Sequence, residues 1–240
     1  VYSKNYVLHC FGSAIDEIRE HISPIALSSG QVLLEPGEAI KRVYFLSGGL
    51  VSARVPFENG DEVECVLLGR NTAIGALSAI GLDSAVTRAV CLFDAHAWTI
   101  PVAPLRAAVR RLPDIERVIQ ICCGSQMSFS LLVGACNAMH GAERRLARWL
   151  LLANDLVDGT PLRIRQEELG TILGVQRTVI NPLLQKFQAE GMISTGRGRV
   201  AVLDAEGLRD RACDCHIGLQ RLTAALSPER GPGCCREQPT

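Results

Sequence analysis

The chain of 240 residues has no run of about 18 uninterrupted apolar residues, so no membrane-spanning helix is expected. Its first twenty residues lack the basic start and apolar core of a secretory signal, and a cytoplasmic location is expected. Net charge is also missing: 25 Lys and Arg face 25 Asp and Glu, so overall charge points to no polyanionic partner. No paired nucleophile and base, phosphate-binding glycine loop or dinucleotide fingerprint is present, and an enzyme is not expected. Cysteine is the exception to this scarcity, with ten in the chain. They are scattered and follow no secretory signal, so reduced thiols are expected rather than a disulfide framework. Cys65, Cys91 and Cys136 sit in apolar contexts that suit small core residues.

Residues 161–203 are the most ordered pattern in the sequence. From Gln166, Leu169, Ile172 and Leu173 recur at helical spacing, and Gly174 then permits a tight turn that Val175 plugs. A second helix places Val179, Leu183, Leu184 and Phe187 on one face and ends at Gly191. Met192 and Ile193 open a strand. Gly196-Arg197-Gly198-Arg199 makes a hairpin tip, and Val200 to Leu203 return. Helix, turn, helix and hairpin in this order form the layout of a winged helix-turn-helix, which puts a helix end into the DNA major groove. The second helix opens on the donors Gln176, Arg177 and Thr178, and the tip carries two arginines and no acid, as a phosphate-contacting wing requires. Charge is distributed to match. Residues 141–200 carry nine basic against six acidic residues, and residues 1–140 carry eleven against thirteen.

The texture upstream is different. Residues 1–23 read as mostly helical, with Ile15, Ile18 and Ile22 on one face. From Ile25 to about Pro101, short β-type runs alternate with Gly, Asn, Asp and Pro, and Asn59-Gly60 is a strong hairpin signal. Such spacing implies a rolled antiparallel sheet. Residues 113–140 then read as one long helix with Pro113 in its first turn. Ile115, Ile119, Cys122, Gln126, Phe129, Val133 and Cys136 alternate by four and three along it, which predicts a coiled-coil seam and a homodimer. Cys122 on that seam suggests an inter-subunit disulfide beside the plainer reading of a small seam residue. From Ser227 the chain is rich in Pro, Gly and charge, and a disordered tail is expected.

The run from Leu169 to Ile193, with Glu143-Arg144-Arg145-Leu146-Ala147-Arg148-Trp149-Leu150-Leu151 before it, resembles the DNA-binding half of the Crp/Fnr family of bacterial transcription regulators. Cys213-Asp214-Cys215-His216 resembles one large branch of that family, and the match continues more weakly over about residues 25–216. The resemblance implies an α+β fold: an N-terminal antiparallel β-roll of the cyclic-nucleotide-binding type, a long dimerisation helix and a C-terminal winged helix-turn-helix. The corresponding division is 1–112, 113–140 and 141–218, with a partly disordered tail at 219–240. It implies a homodimer on a palindromic operator, with double-stranded DNA and RNA polymerase as partners. Arg177, Thr178 and Asn181 are then expected at base edges, with Gln176 beside them. Arg165, Gln166, Arg197 and Arg199 are expected at phosphates.

The same resemblance places an effector pocket at Gly75, Ala76, Leu77, Thr87 and Arg88. Family members that bind cyclic nucleotides hold the ribose with a glutamate where this chain has Ala76. Their Arg-Ser/Thr order is inverted here to Thr87-Arg88, which on an alternating strand turns the arginine to the other face. Cyclic-nucleotide binding is therefore not expected, unless a bulge restores Arg88. Cys10 alone stands near the N-terminus, so no iron–sulfur cluster is expected there. Scattered histidines (His9, His21, His96, His140) make haem an unsupported choice. Cys213, Cys215 and His216 offer three metal ligands without the four that structural zinc takes, so no metal is expected either. Pro182 stands in the second helix of the helix-turn-helix, where it removes a backbone hydrogen bond at a cost of up to about 3 kcal/mol and is expected to tilt Arg177-Thr178. It leaves a rival reading open: a small-molecule-sensing interaction module with an impaired DNA-binding domain.

Overall fold

The computed structural model describes residues 4–226. The N-terminal stretch is a short helix, α1 (Tyr6–Cys10), followed by two 3-10 turns over Gly12–Glu17 and Arg19–His21, so the mostly helical stretch is interrupted at Gly12, whose φ is +55°. Ile15, Ile18 and Ile22 are nevertheless all buried, as their spacing predicts.

Eight strands follow: β1 (Ser23–Leu27), β2 (Val32–Leu34), β3 (Arg42–Gly48), β4 (Val51–Pro56), β5 (Glu62–Leu68), β6 (Ala73–Ile74), β7 (Arg88–Cys91) and β8 (Ala95–Pro101). They form two antiparallel four-stranded sheets, here the outer sheet β1-β8-β3-β6 and the inner sheet β2-β7-β4-β5, which is the rolled sheet read from the sequence. Asn59 and Gly60 close the β4–β5 hairpin, with Gly60 at a φ of +87° and Phe57 donating its N–H to the Asp61 carbonyl.

Two helices leave the roll: α2 (Val102–Arg111) and α3 (Pro113–Met139). His140 is extended and ends α3, and α4 (Ala142–Leu156) starts after Gly141. Then come α5 (Gln166–Leu173), α6 (Arg177–Ala189), the wing strands β9 (Ile193–Gly196) and β10 (Arg199–Val202), α7 (Ala205–Arg211) and α8 (Cys215–Thr223). α8 packs on α3 and runs past residue 218, so 219–223 belong to the folded unit and not to a tail. The segment from Ser227 lies outside the described residues.

α3 corrects the seam expectation. Ile115, Ile119, Cys122, Phe129, Val133 and Cys136 are buried within the chain itself, and Gln126 donates to the Ala73 carbonyl at 3.0 Å. The four–three repeat therefore reports packing of α3 on its own roll and on the C-terminal unit. Cys122 is held there by the Ala73 N–H at 3.3 Å, and burial pushes its thiol up, so it is placed for no bond across a two-fold axis. The face left uncovered is Gln120, Met127, Leu131, Gly134 and Ala138, with the half-buried Gly124 between them, again at heptad spacing.

Two apolar clusters fill the molecule. One lies between α1, the outer sheet, α2 and the first half of α3. The other joins the inner sheet to α4, α5 and α6 without interruption, through Leu67, Phe129, Trp149, Leu150, Ile172 and Phe187. At this junction Glu64 of β5 is fully buried. It accepts the Trp149 Nε1–H at 2.8 Å and the Ser52 hydroxyl at 2.6 Å. Arg54 donates to Ser52 and pairs with Glu62 of β5 and Glu168 of α5.

Burial raises the Glu64 carboxyl above its ordinary value, against the opposing pull of Ser52, Trp149, Arg54 and Arg148. The folded state then holds a proton that the unfolded chain releases. The contribution of this group to stability is full below the ordinary carboxylate range and is lost as pH rises through the folded value. Glu64→Gln keeps both hydrogen-bond partners and removes the charge. It is expected to raise the melting temperature near neutral to alkaline pH, by about 2–4 °C per kcal/mol regained, with the gain vanishing in acid. Melting curves of both proteins across pH check this, and a pH-independent difference would contradict it.

Candidate nucleic-acid interface and effector pocket

The helix-turn-helix is built as its spacing predicts at α5, where Leu169, Ile172 and Leu173 are buried. Gly174 takes a φ of +60°, and a Cβ there would meet Val63 Cγ2 of the β-roll at 2.9 Å, so both backbone and space call for glycine. Arg145 of α4 donates to the Leu173 carbonyl at 2.8 Å and so caps the end of α5. In α6 the buried stripe is Ile180, Leu184 and Phe187, with Leu183 half-buried. Val179 is 40 % exposed, which corrects the expected face by one residue. The helix starts at Arg177, and positions 180, 184 and 187 then recur at four and three.

Gln176, Arg177 and Thr178 lie exposed at the start of α6, and Arg177 pairs with Glu167 at 2.8 Å. Asn181 is half-buried, and its Oδ1 accepts no hydrogen bond among the described residues. α6 continues through Pro182, whose ring is exposed, although the missing N–H leaves the Thr178 carbonyl without its helical donor. The wing is a two-residue turn, Arg197-Gly198, between paired Gly196 and Arg199. Arg197 and Arg199 are exposed, and the Arg165 side chain lies beside Gly198, 4.0 Å from where a Cβ would stand. The structure thus gathers Arg165, Arg197 and Arg199 at one tip. Gln166 is the first residue of α5 and half-buried.

A polar cleft separates the start of α6 from the β4–β5 hairpin. Glu58, Asp61 and Glu62 line one wall, and Gln176 and Arg177 the other. Sequence reasoning did not find this opposition, because the two walls are more than a hundred residues apart.

The cavity at the expected effector residues lies within the roll, under α3, with a volume of about 320 Å³. Gly75, Ala76, Leu77 and Thr87 line it with Leu34, Val66 and Met127. Gly75 has a φ of +82° and closes on Ile40 and the Arg42 carbonyl. Arg88 is outside. It donates Nε–H to Glu35 at 3.0 Å and also pairs with Glu62, on the face opposite Thr87, as strand alternation predicts. The register shifts along β4–β5 and β2–β7 do not return it to the pocket.

A β-roll with an internal cavity, joined by a long helix to a winged helix-turn-helix, defines a class of DNA-binding regulators. Residues 24–111 match the cyclic nucleotide-binding domain, and residues 144–211 match the Crp-like helix-turn-helix domain. The chain belongs to the Crp/Fnr family of transcription regulators. Among its relatives, the CRP-like cAMP-activated global transcriptional regulator of Mycobacterium tuberculosis is 24 % identical over 207 residues, covering 83 % of this chain and 92 % of the relative. The global nitrogen regulator of Synechococcus elongatus is 22 % identical over 188 residues, covering 75 % and 85 %. The crystal structure of a Crp/Fnr-family regulator from Eubacterium rectale superimposes with a TM-score of 0.66 at 16 % identity, covering 83 % and 93 %.

Arg197→Ala and Arg199→Ala are each expected to weaken binding to all DNA about equally and to lower the salt slope by about one. Fluorescence anisotropy over a series of salt concentrations checks this. Slopes equal to the wild type in both variants would remove the wing from the contact list.

Proposed function

We propose that this regulator binds a palindromic operator as a homodimer and responds to an effector other than a cyclic nucleotide. The observation that carries the DNA reading is the exposed polar start of α6 together with the arginine tip formed by Arg165, Arg197 and Arg199. Three guanidiniums at one tip suit backbone phosphates, and the donors of Gln176, Arg177 and Thr178 suit base edges. Arg177 shares its cleft with Glu58, Asp61 and Glu62, so those carboxylates and DNA compete for the same end of α6. That competition favours a regulator whose DNA affinity depends on the position of the β4–β5 hairpin. RNA polymerase is the further partner that such a function implies.

The dimer reading rests on the uncovered stripe of α3. Met127 and Leu131 are 64 % and 69 % exposed at its centre, flanked by Gly124 and Gly134, which let a second helix approach closely. α3 has the length and hydropathy of a membrane span, yet one face is buried against the roll. A second copy of the same helix is the occupant that this stripe fits, since a two-fold axis pairs each residue with its own heptad. Two α6 helices related by that axis reach successive major grooves.

The effector reading rests on the pocket walls. They are apolar except for Ser84, Thr87, Gln126 and Ser130, and Arg88 is held by two carboxylates outside. A phosphate would enter without a counter-ion, at a cost that apolar contacts do not offset. A small, largely apolar molecule with one or two hydrogen-bonding groups fits instead.

Two outcomes are expected. Leu131→Asp should weaken the dimer at least about tenfold, equivalent to about 1.4 kcal/mol, with the circular-dichroism spectrum intact, whereas Phe129→Asp should disrupt the fold itself. Sedimentation velocity checks this, and an equally tight dimer for Leu131→Asp would place the interface elsewhere. Cyclic AMP and cyclic GMP are expected to bind no tighter than about millimolar, which is about 4 kcal/mol weaker than a micromolar ligand. Calorimetry with either nucleotide checks this, and a micromolar constant would overturn the effector reading.

A further inference from the structure

A cluster of thiols and imidazole lies where α3 ends and the C-terminal helices return to it. Cys136 is on the last turn of α3 and His140 caps that helix one turn further on. Cys213 lies in the link after α7, and Cys215 is the first residue of α8. One donor atom from each of the four falls within 4.8 Å of every other. Cys136 and Cys213 sulfurs are 3.4 Å apart, and Cys215 Sγ is 3.6 Å from His140 Nδ1. His216, the histidine adjacent in sequence, is not among the four.

We propose that Cys136, His140, Cys213 and Cys215 bind one divalent ion of the zinc class and clamp the end of α3 to the start of α8. The distances fit. An ion held tetrahedrally by thiolates at about 2.3 Å and an imidazole at about 2.05 Å has sulfur–sulfur edges of about 3.8 Å and sulfur–nitrogen edges of about 3.6 Å. Three sulfurs and one nitrogen are a soft donor set that selects zinc over magnesium or calcium. A span of 4.8 Å accommodates one ion and leaves no room for a multi-iron cluster between the ligands.

Charge supports the assignment independently. Arg148 of α4 is 3 % exposed, its Nε makes no hydrogen bond among the described residues, and it acts electrostatically on Cys136 and Cys213. A dication with three thiolates and a neutral imidazole carries one net negative charge, which is what a buried guanidinium needs as a counter-charge. The ligands come from both sides of the joint at Gly141. Binding would therefore fix how the DNA-binding helices sit on α3.

The test uses the full chain, reduced and kept anaerobic. It is loaded with zinc, desalted and assayed for metal by mass spectrometry, and separately titrated with cobalt(II), whose absorption reports tetrahedral thiolate ligation. One ion per chain and strong thiolate-to-cobalt bands are expected. Cys215→Ser and His140→Ala, both at partly exposed positions, should each weaken zinc binding at least about a hundredfold, and Cys91→Ser, deep in the β-roll, should not change it. Cys213→Ser is read only if its circular dichroism matches the wild type. No retained metal in the reduced protein would overturn the proposal. So would unchanged binding in Cys215→Ser and His140→Ala, or a Cys136–Cys213 disulfide as the sole stable form under the same conditions.

Discussion

The buried carboxylate of Glu64 constrains the rest of this molecule. A charged or polar group with no access to water is tolerated only where donors reach it, and here the donors come from two parts of the chain: Ser52 beside it in the sheet and Trp149 from α4. Separating the DNA-binding helices from the roll would strip Glu64 of the indole and expose the apolar surface around it. Arg54 extends the same junction to Glu168 on α5, so roll and helix-turn-helix share hydrogen bonds as well as a core. The two units matched by family are therefore distinct in sequence but continuous in packing.

The helix-turn-helix was legible because each of its constraints is local. Gly174 needs a positive φ, Leu169 to Leu173 need one face, and the wing needs two arginines at a turn; all of these sit within about forty residues. The strands were legible for the same reason, as their turn residues punctuate short runs. The uncovered stripe of α3 was not. A helix that packs on two bodies carries two heptad stripes, and composition favours the one with Ile115, Ile119, Phe129 and Val133. Met127, Leu131 and two glycines look weaker, yet they are what remains uncovered after the chain has folded. Periodicity reports that a face is apolar and is silent on what covers it.

The thiol–imidazole cluster was hidden by distance along the chain. Cys213 and Cys215 gave two ligands, and the histidine adjacent to them suggested a third, but α8 carries His216 away. Its replacement, His140, sits 75 residues upstream of Cys215. The signal that could have found it is the spacing Cys136–His140, four residues apart and so on one face of a helix end. The Glu64–Trp149 bond was hidden in the same way. In contrast, the inversion of Thr87 and Arg88 was readable in advance, because alternation in a strand is a local rule with only two outcomes.

These features converge on α3. Its first half is covered by α1, α2 and the outer sheet, its middle roofs the pocket through Gln126, Met127, Ser130 and Leu131, and its last turn supplies Cys136. Met127 and Leu131 belong to the pocket wall and to the uncovered stripe at once. On the proposed reading, a ligand that touches them would change the surface offered to a second helix. A 27-residue helix spans about 40 Å and is stiff on that scale, so a shift at its middle would arrive at its end as a displacement of the joint at Gly141. On the proposed effector reading, the pocket would need no contact with α6 to influence it. Transmission requires only that α3 stay helical between Met127 and His140 and that its end stay attached to the helices beyond.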